Sequence, residues 1–192
     1  MNLKSFTCGC AVAVGLVGSA VWSEAQERAD FKIRNIRRTQ TDAPNYNVNS
    51  DLGGFPSTMG RQWYKIEVQY ESQPDWADDV QLKVYVLLGT GRDAKMFVGD
   101  VTHVDVQRGT QHYAGFFLHP NTLRRYGGGQ VQAVAVQLFY QNRLLDQASD
   151  PTTQERWWER YSPVTGYVRN PLDTPWAPIA AQRFEASKLS AR

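Results

Sequence analysis

Val80-Gln81-Leu82-Lys83-Val84-Tyr85-Val86-Leu87-Leu88 puts Val80, Leu82, Val84, Val86 and Leu88 on one face at a period of two. Side chains of a strand alternate between its two faces, so this stretch reads as a β-strand with a continuous apolar side. The same period runs outward from it. Tyr64, Ile66, Val68 and Tyr70 alternate with Trp63, Lys65, Glu67 and Gln69. Val131 to Tyr140 is apolar on both faces between Ala133 and Val136, as expected of a central strand. Phe31 and Ile33 open a first strand whose alternation slips before Ile36, which predicts a bulge. Nowhere between Phe31 and Tyr140 is there a long apolar pattern at helical spacing. About seven strands at this spacing predict an all-β, immunoglobulin-like two-sheet antiparallel sandwich, with a closed barrel as the alternative.

The punctuation fits that reading. Gln141-Asn142 and Arg108-Gly109 each separate two strand-like runs and predict hairpins, the second joining Met96–Gln107 to Thr110–Leu118. Short helices are expected at His119–Tyr126, with Pro120 early and Gly127 past the end, and at Thr152–Tyr161. Asn45 to Gly60 reads as a long loop. After Tyr161 the alternation stops. Ser162 to Arg192 holds Pro163, Pro171, Pro175 and Pro178 with isolated Tyr167, Trp176 and Phe184. Such a segment cannot build a second core, and is expected to run extended over the sandwich or a partner, seating one ring at a time.

Met1 to Ala25 has the three parts of a secretory signal: Lys4, the apolar run Ala11 to Val21, and Ser23-Glu24-Ala25 at the cleavage position. An uncleaved anchor helix is the alternative, since Phe6 to Trp22 is 17 residues, the lower edge of a bilayer span. The expected organisation is a signal peptide over 1–25, a sandwich over 26–161 and an extended tail over 162–192. Removal of the signal takes both cysteines, Cys8 and Cys10, so the mature chain folds without a disulfide in an oxidising compartment. With 21 Lys and Arg against 19 Asp and Glu, the net charge of +2 provides no field for nucleic acid or an anionic membrane.

Candidate chemistry is sparse. Gly89-Thr90-Gly91-Arg92-Asp93-Ala94 has the glycine spacing of a dinucleotide loop, but the strand-like Lys95–Val101 follows where that mechanism needs a helix. Across the predicted Arg108-Gly109 hairpin, Asp105 lies opposite His112 with His103 on the same face, a possible ligand set for a metal-dependent hydrolase. Val104, Val106, Tyr113 and Phe117 take the other face, so the histidine face is read as solvated and a polar cross-strand pair as the simpler account. Asp75, Asp78 and Asp79 sit in a turn, where Asp caps backbone amides. No serine elbow, zinc-binding helix or phosphate loop is present, and no cofactor is implied. Trp157, Trp158, Trp176 and Phe184 are the candidates for partner binding or tail docking. Exposed, coplanar tryptophans would instead suit a carbohydrate-binding module.

Several motifs carry a family resemblance: Pro74-Asp75-Trp76-Ala77-Asp78-Asp79, Val101-Thr102-His103-Val104-Asp105-Val106 leading to Gly109 and His112-Tyr113, Pro120-Asn121-Thr122 with Tyr126-Gly127, Trp157-Trp158, and Thr174-Pro175-Trp176-Ala177-Pro178. In this order they resemble the secreted immunoglobulin-like "pilus-like" proteins encoded beside type IV pilus components in some bacteria. Where that family carries Phe in the last motif, this chain has Trp176. The resemblance implies an immunoglobulin-like fold, a non-enzymatic role in the periplasm or cell envelope, and a pilus-assembly or envelope protein as partner. It carries over no catalytic residues.

Overall fold

The computed structural model describes residues 30–44 and 62–188. The expected signal peptide and the Asn45–Gly60 loop lie outside the described residues. Among the described residues nine strands form two sheets. One has the order β1 (Phe31–Thr41), β2 (Trp63–Ala77), β5 (Val106–Leu118), β9 (Val168–Arg169). The other has the order β7 (Arg143–Asp150), β6 (Val131–Tyr140), β3 (Val80–Leu88), β4 (Lys95–His103), β8 (Pro163–Val164). Every pairing is antiparallel except that of β4 with β8. This is the open sandwich that the alternating pattern predicts.

The core lies where the alternation places it. Val80, Leu82, Val84, Val86 and Leu88 of β3 meet Ile66, Val68 and Tyr70 of β2 and Ala114, Phe116 and Leu118 of β5 in one cluster. The bulge is present, with the β1–β2 register slipping between Ile33 and Asn35. It restores Ile36 to the inner side opposite Val68. At Gln141-Asn142 both residues take positive φ (50° and 64°), as a tight two-residue hairpin matched to strand twist demands. Helix α1 (Pro120–Gly127) has Pro at its first turn, His119 Nδ1 accepting from the Asn121 N–H at 3.1 Å, and Gly128 in the left-handed region at φ 57°. It buries Leu123 against the core.

Three expectations fail. Arg108-Gly109 is no hairpin: both residues lie inside β5, and Val104-Asp105 carry the chain from one sheet to the other. Gly109 is required there for space rather than for a turn. A Cβ on it would stand 2.9 Å from His112 Nε2. The Thr152–Tyr161 helix is only a 3-10 turn, Trp157–Glu159, whose neighbouring indoles both bury against one sheet. The Pro-rich tail is not simply extended. It adds β8 to one sheet and β9 to the other, then forms a 3-10 turn at Pro171–Asp173 and the short helix α2 (Ala177–Ala180).

Candidate functional site

The four aromatic candidates cover the outer faces of the two sheets. Trp157 and Trp158, 9% and 6% exposed, pack on Tyr85, Met96, Val98 and Ala135 outside the five-stranded sheet. Their rings meet edge to face at 84°, and Trp158 stacks on Tyr85. Neither indole N–H finds an acceptor among the described residues, so packing rather than hydrogen bonding holds them. They do not form the coplanar, exposed platform that sugar stacking requires.

Outside the four-stranded sheet the tail makes a strap. Trp176 stacks on Phe117 with centroids 4.5 Å apart and meets Trp63 edge-on at 5.6 Å. Phe184 lies over Gly115, where a Cβ would come within 2.6 Å of its ring. Between these rings Arg183 grips Glu67, Nη2 to Oε1 at 2.7 Å and Nε to Oε2 at 3.2 Å, while its guanidinium covers the Tyr113 ring at 4.2 Å. Burial alone raises the Glu67 carboxyl, but the bonds from Arg183 and Lys65 outweigh it and hold the group below its ordinary range. The strap then runs beside the sheet crossover. The Val104 N–H donates to Ala186 O, Ser187 bridges His103, and the Lys188 N–H donates to Thr102 O. The Lys188 ammonium pairs with Asp79.

Under the strap lie the two histidines, and here the solvated-face reading is wrong. His112 pairs with Tyr70 across β2 and β5, His103 comes from the other sheet, and both imidazoles flank the Tyr70 ring inside the sandwich. Tyr70 Oη and His103 Nδ1 are hydrogen-bonded at 2.7 Å. The His112 Nδ1–H donates to Glu185 Oε1 at 2.9 Å. Asp105 is exposed at the crossover turn, with its N–H held by Asp78 Oδ1. Among the described residues no group of His, Cys, Asp or Glu is arranged to hold a metal. Burial drives His103 down to about 4 and pushes Tyr70 up. The bond from His112 holds the Glu185 carboxyl below the usual range. At neutral pH the cluster is a neutral His103 and a phenol shut in the core, with the buried His112 imidazole bonded to the half-buried Glu185 carboxylate of the strap.

The Gly91–Asp93 turn leads directly into β4, so the glycine spacing at Gly89–Ala94 makes a loop and points no helix at a phosphate. Sequence reasoning missed Arg183 and Glu185, which pin the strap. It also gave no sign that Trp76, 62% exposed, is the most exposed of the large apolar side chains on the described surface. Ala77 turns into the core beside Val106, which leaves Trp76 standing on the outer side of β2. No helix of the described residues is long and apolar enough to cross a membrane.

No curated protein matches the chain. Among solved structures, it is similar to a crystal structure of a protein from Akkermansia muciniphila, with 19% sequence identity and a TM-score of 0.71. That match covers 84% of this chain and 94% of the other. At this identity the likeness shows the shared sandwich fold. A family model of pilus-like proteins matches residues 22–191, nearly the whole length, and the chain belongs to that family.

Proposed function

We propose that the protein is an exported, non-enzymatic component of a pilus or the cell envelope that works by protein contact. Membership of a pilus-like family across residues 22–191 carries this reading. The distribution of chemistry supports it. The perturbed groups His103 and Tyr70 are buried beside the chain's own strap, which supplies Glu185 to His112, and the outer aromatics Trp157, Trp158, Trp176 and Phe184 serve packing. In this account residues 1–25 direct export and are removed, 26–161 are the sandwich and 162–192 dock on it.

Crosslinking in intact cells, followed by recovery of the tagged protein from envelopes, tests the role directly. A pilus or envelope component is expected among the captured proteins, and N-terminal sequencing is expected to begin near Gln26. Recovery of the full-length chain in the cytosol, with no envelope protein attached, would refute the proposal.

A further inference from the structure

Two buried polar atoms under the strap find no partner among the described residues: the Ser72 hydroxyl oxygen and His112 Nε2. Ser72 is 1% exposed and His112 8%. A bulge brings them to one place. Tyr70 pairs with His112 but Ser72 pairs with Gly109, so β5 carries one residue more than β2 over this interval. An unbroken register would set Thr110 opposite Ser72, whereas the bulge sets a residue without a side chain there.

That glycine defines a gap. The point where a Cβ on Gly109 would stand is 2.9 Å from His112 Nε2, 3.4 Å from Cε1 and 3.9 Å from Cδ2. Outside the glycine's own chain neighbours no other atom is nearer to it. Paired residues of antiparallel strands carry their Cβ atoms to the same side, about 5 Å apart, which directs Ser72 to the far side of the same gap. No direct bond joins the hydroxyl to the imidazole. The His112 Nδ1–H is given to Glu185, so Nε2 presents a lone pair, and a serine hydroxyl can either donate or accept. One water meets both demands, and buried polar groups are ordinarily satisfied in this way.

Other occupants fit less well. Carboxylate, imidazole and hydroxyl in that order are the parts of a nucleophilic triad, but a serine 1% exposed meets no substrate. A zinc-type metal needs three or four ligands, and among the described residues no group of His, Cys, Asp or Glu is arranged to give them.

We propose that this gap binds a single internal water, which donates to His112 Nε2 and is held by Ser72 Oγ, and that the chain Ser72–water–His112–Glu185 ties the strap to β2 through the core. The inference rests on the interior of the sandwich and is independent of the pilus-like role.

A high-resolution crystal structure of the mature protein, together with Ser72→Thr and Ser72→Val, tests it. These two variants have the same shape and differ in the hydroxyl, so their packing costs cancel in the comparison. Wild type and Ser72→Thr are expected to show one density peak about 2.7 to 3.2 Å from both Nε2 and the hydroxyl oxygen, and Ser72→Val to show none. With Nε2 left unmet, trypsin cleavage of the strap at Arg183 should be roughly tenfold faster in Ser72→Val than in Ser72→Thr. An empty gap in the wild type, a direct bond from Ser72 to His112, or a peak about 2.0 to 2.1 Å from Nε2, the distance of a metal, would overturn the proposal. So would a retained water in Ser72→Val, or equal cleavage rates in the two variants.

Discussion

Acid should loosen this protein through one buried imidazole. His103 is 1% exposed, is hydrogen-bonded to Tyr70, and is driven by burial from the ordinary 6.5 to about 4. The folded state therefore prefers it neutral. Below pH 6.5 the unfolded chain binds a proton there that the folded chain refuses, so stability falls with pH until the folded imidazole itself titrates near 4. At about 1.36 kcal/mol per pKa unit the full loss is about 3 kcal/mol, and about 2.5 kcal/mol of it is gone by pH 4.5. Glu185 adds to the loss in the same direction: its lowered carboxyl stabilises the fold above its unfolded value, and that contribution disappears as pH falls through the folded one. Urea denaturation at pH 7.0 and pH 4.5 measures the total, and His103→Gln isolates the imidazole, because glutamine can still accept from the Tyr70 hydroxyl but does not titrate. The variant is expected to lose about 2.5 kcal/mol less than wild type over that interval, whatever its stability at pH 7.0. Equal losses in both proteins would refute the assignment, as would an imidazole resonance of His103 that titrates near 6.5 in the folded state.

Other substitutions probe the two aromatic covers. Trp176→Ala removes the ring stacked on Phe117 and should cost on the order of 2 to 3 kcal/mol, lowering the melting temperature by several degrees in a thermal scan. Gly115→Ala puts a methyl 2.6 Å from the Phe184 ring. Trypsin cleavage at Arg183 should become faster while the sandwich persists, as seen by near-ultraviolet circular dichroism. Trp158→Ala empties the cover over Tyr85, and equilibrium unfolding should show a loss of about 3 kcal/mol.

What the sequence disclosed follows from period. Strand β3 and the Tyr64–Tyr70 part of β2 present a clear alternation and β6 an apolar run on both faces, and such patterns read the same whatever lies beyond the sheet. The outer layer was not legible, because nothing local distinguishes Glu67 on the polar side of β2 from a solvated glutamate. Its burial depends on Arg183, 116 residues away. Gly109 misled for a related reason: after an arginine it looks like a turn, yet it is there to leave room for the His112 imidazole. That error carried the histidines to the wrong face. Trp157 and Trp158 were visible as candidates, but whether adjacent indoles stand in water or lie against a sheet is decided by Tyr85 and Met96, on strands distant in sequence.

The strap has a consequence for the order in which the molecule can assemble. Residues 95–118 supply β4 and β5, whose outer edges are met, among the described residues, by β8, β9 and the run from Glu185 to Lys188. A chain made from its N-terminus displays those two edges before the residues that close them exist. Through that interval both sheets offer unpaired N–H and C=O groups to any neighbouring strand, the condition under which nascent β-proteins aggregate. Completion of the fold is therefore tied to emergence of its last segment, and a chain halted before residue 163 would carry a core with two open edges.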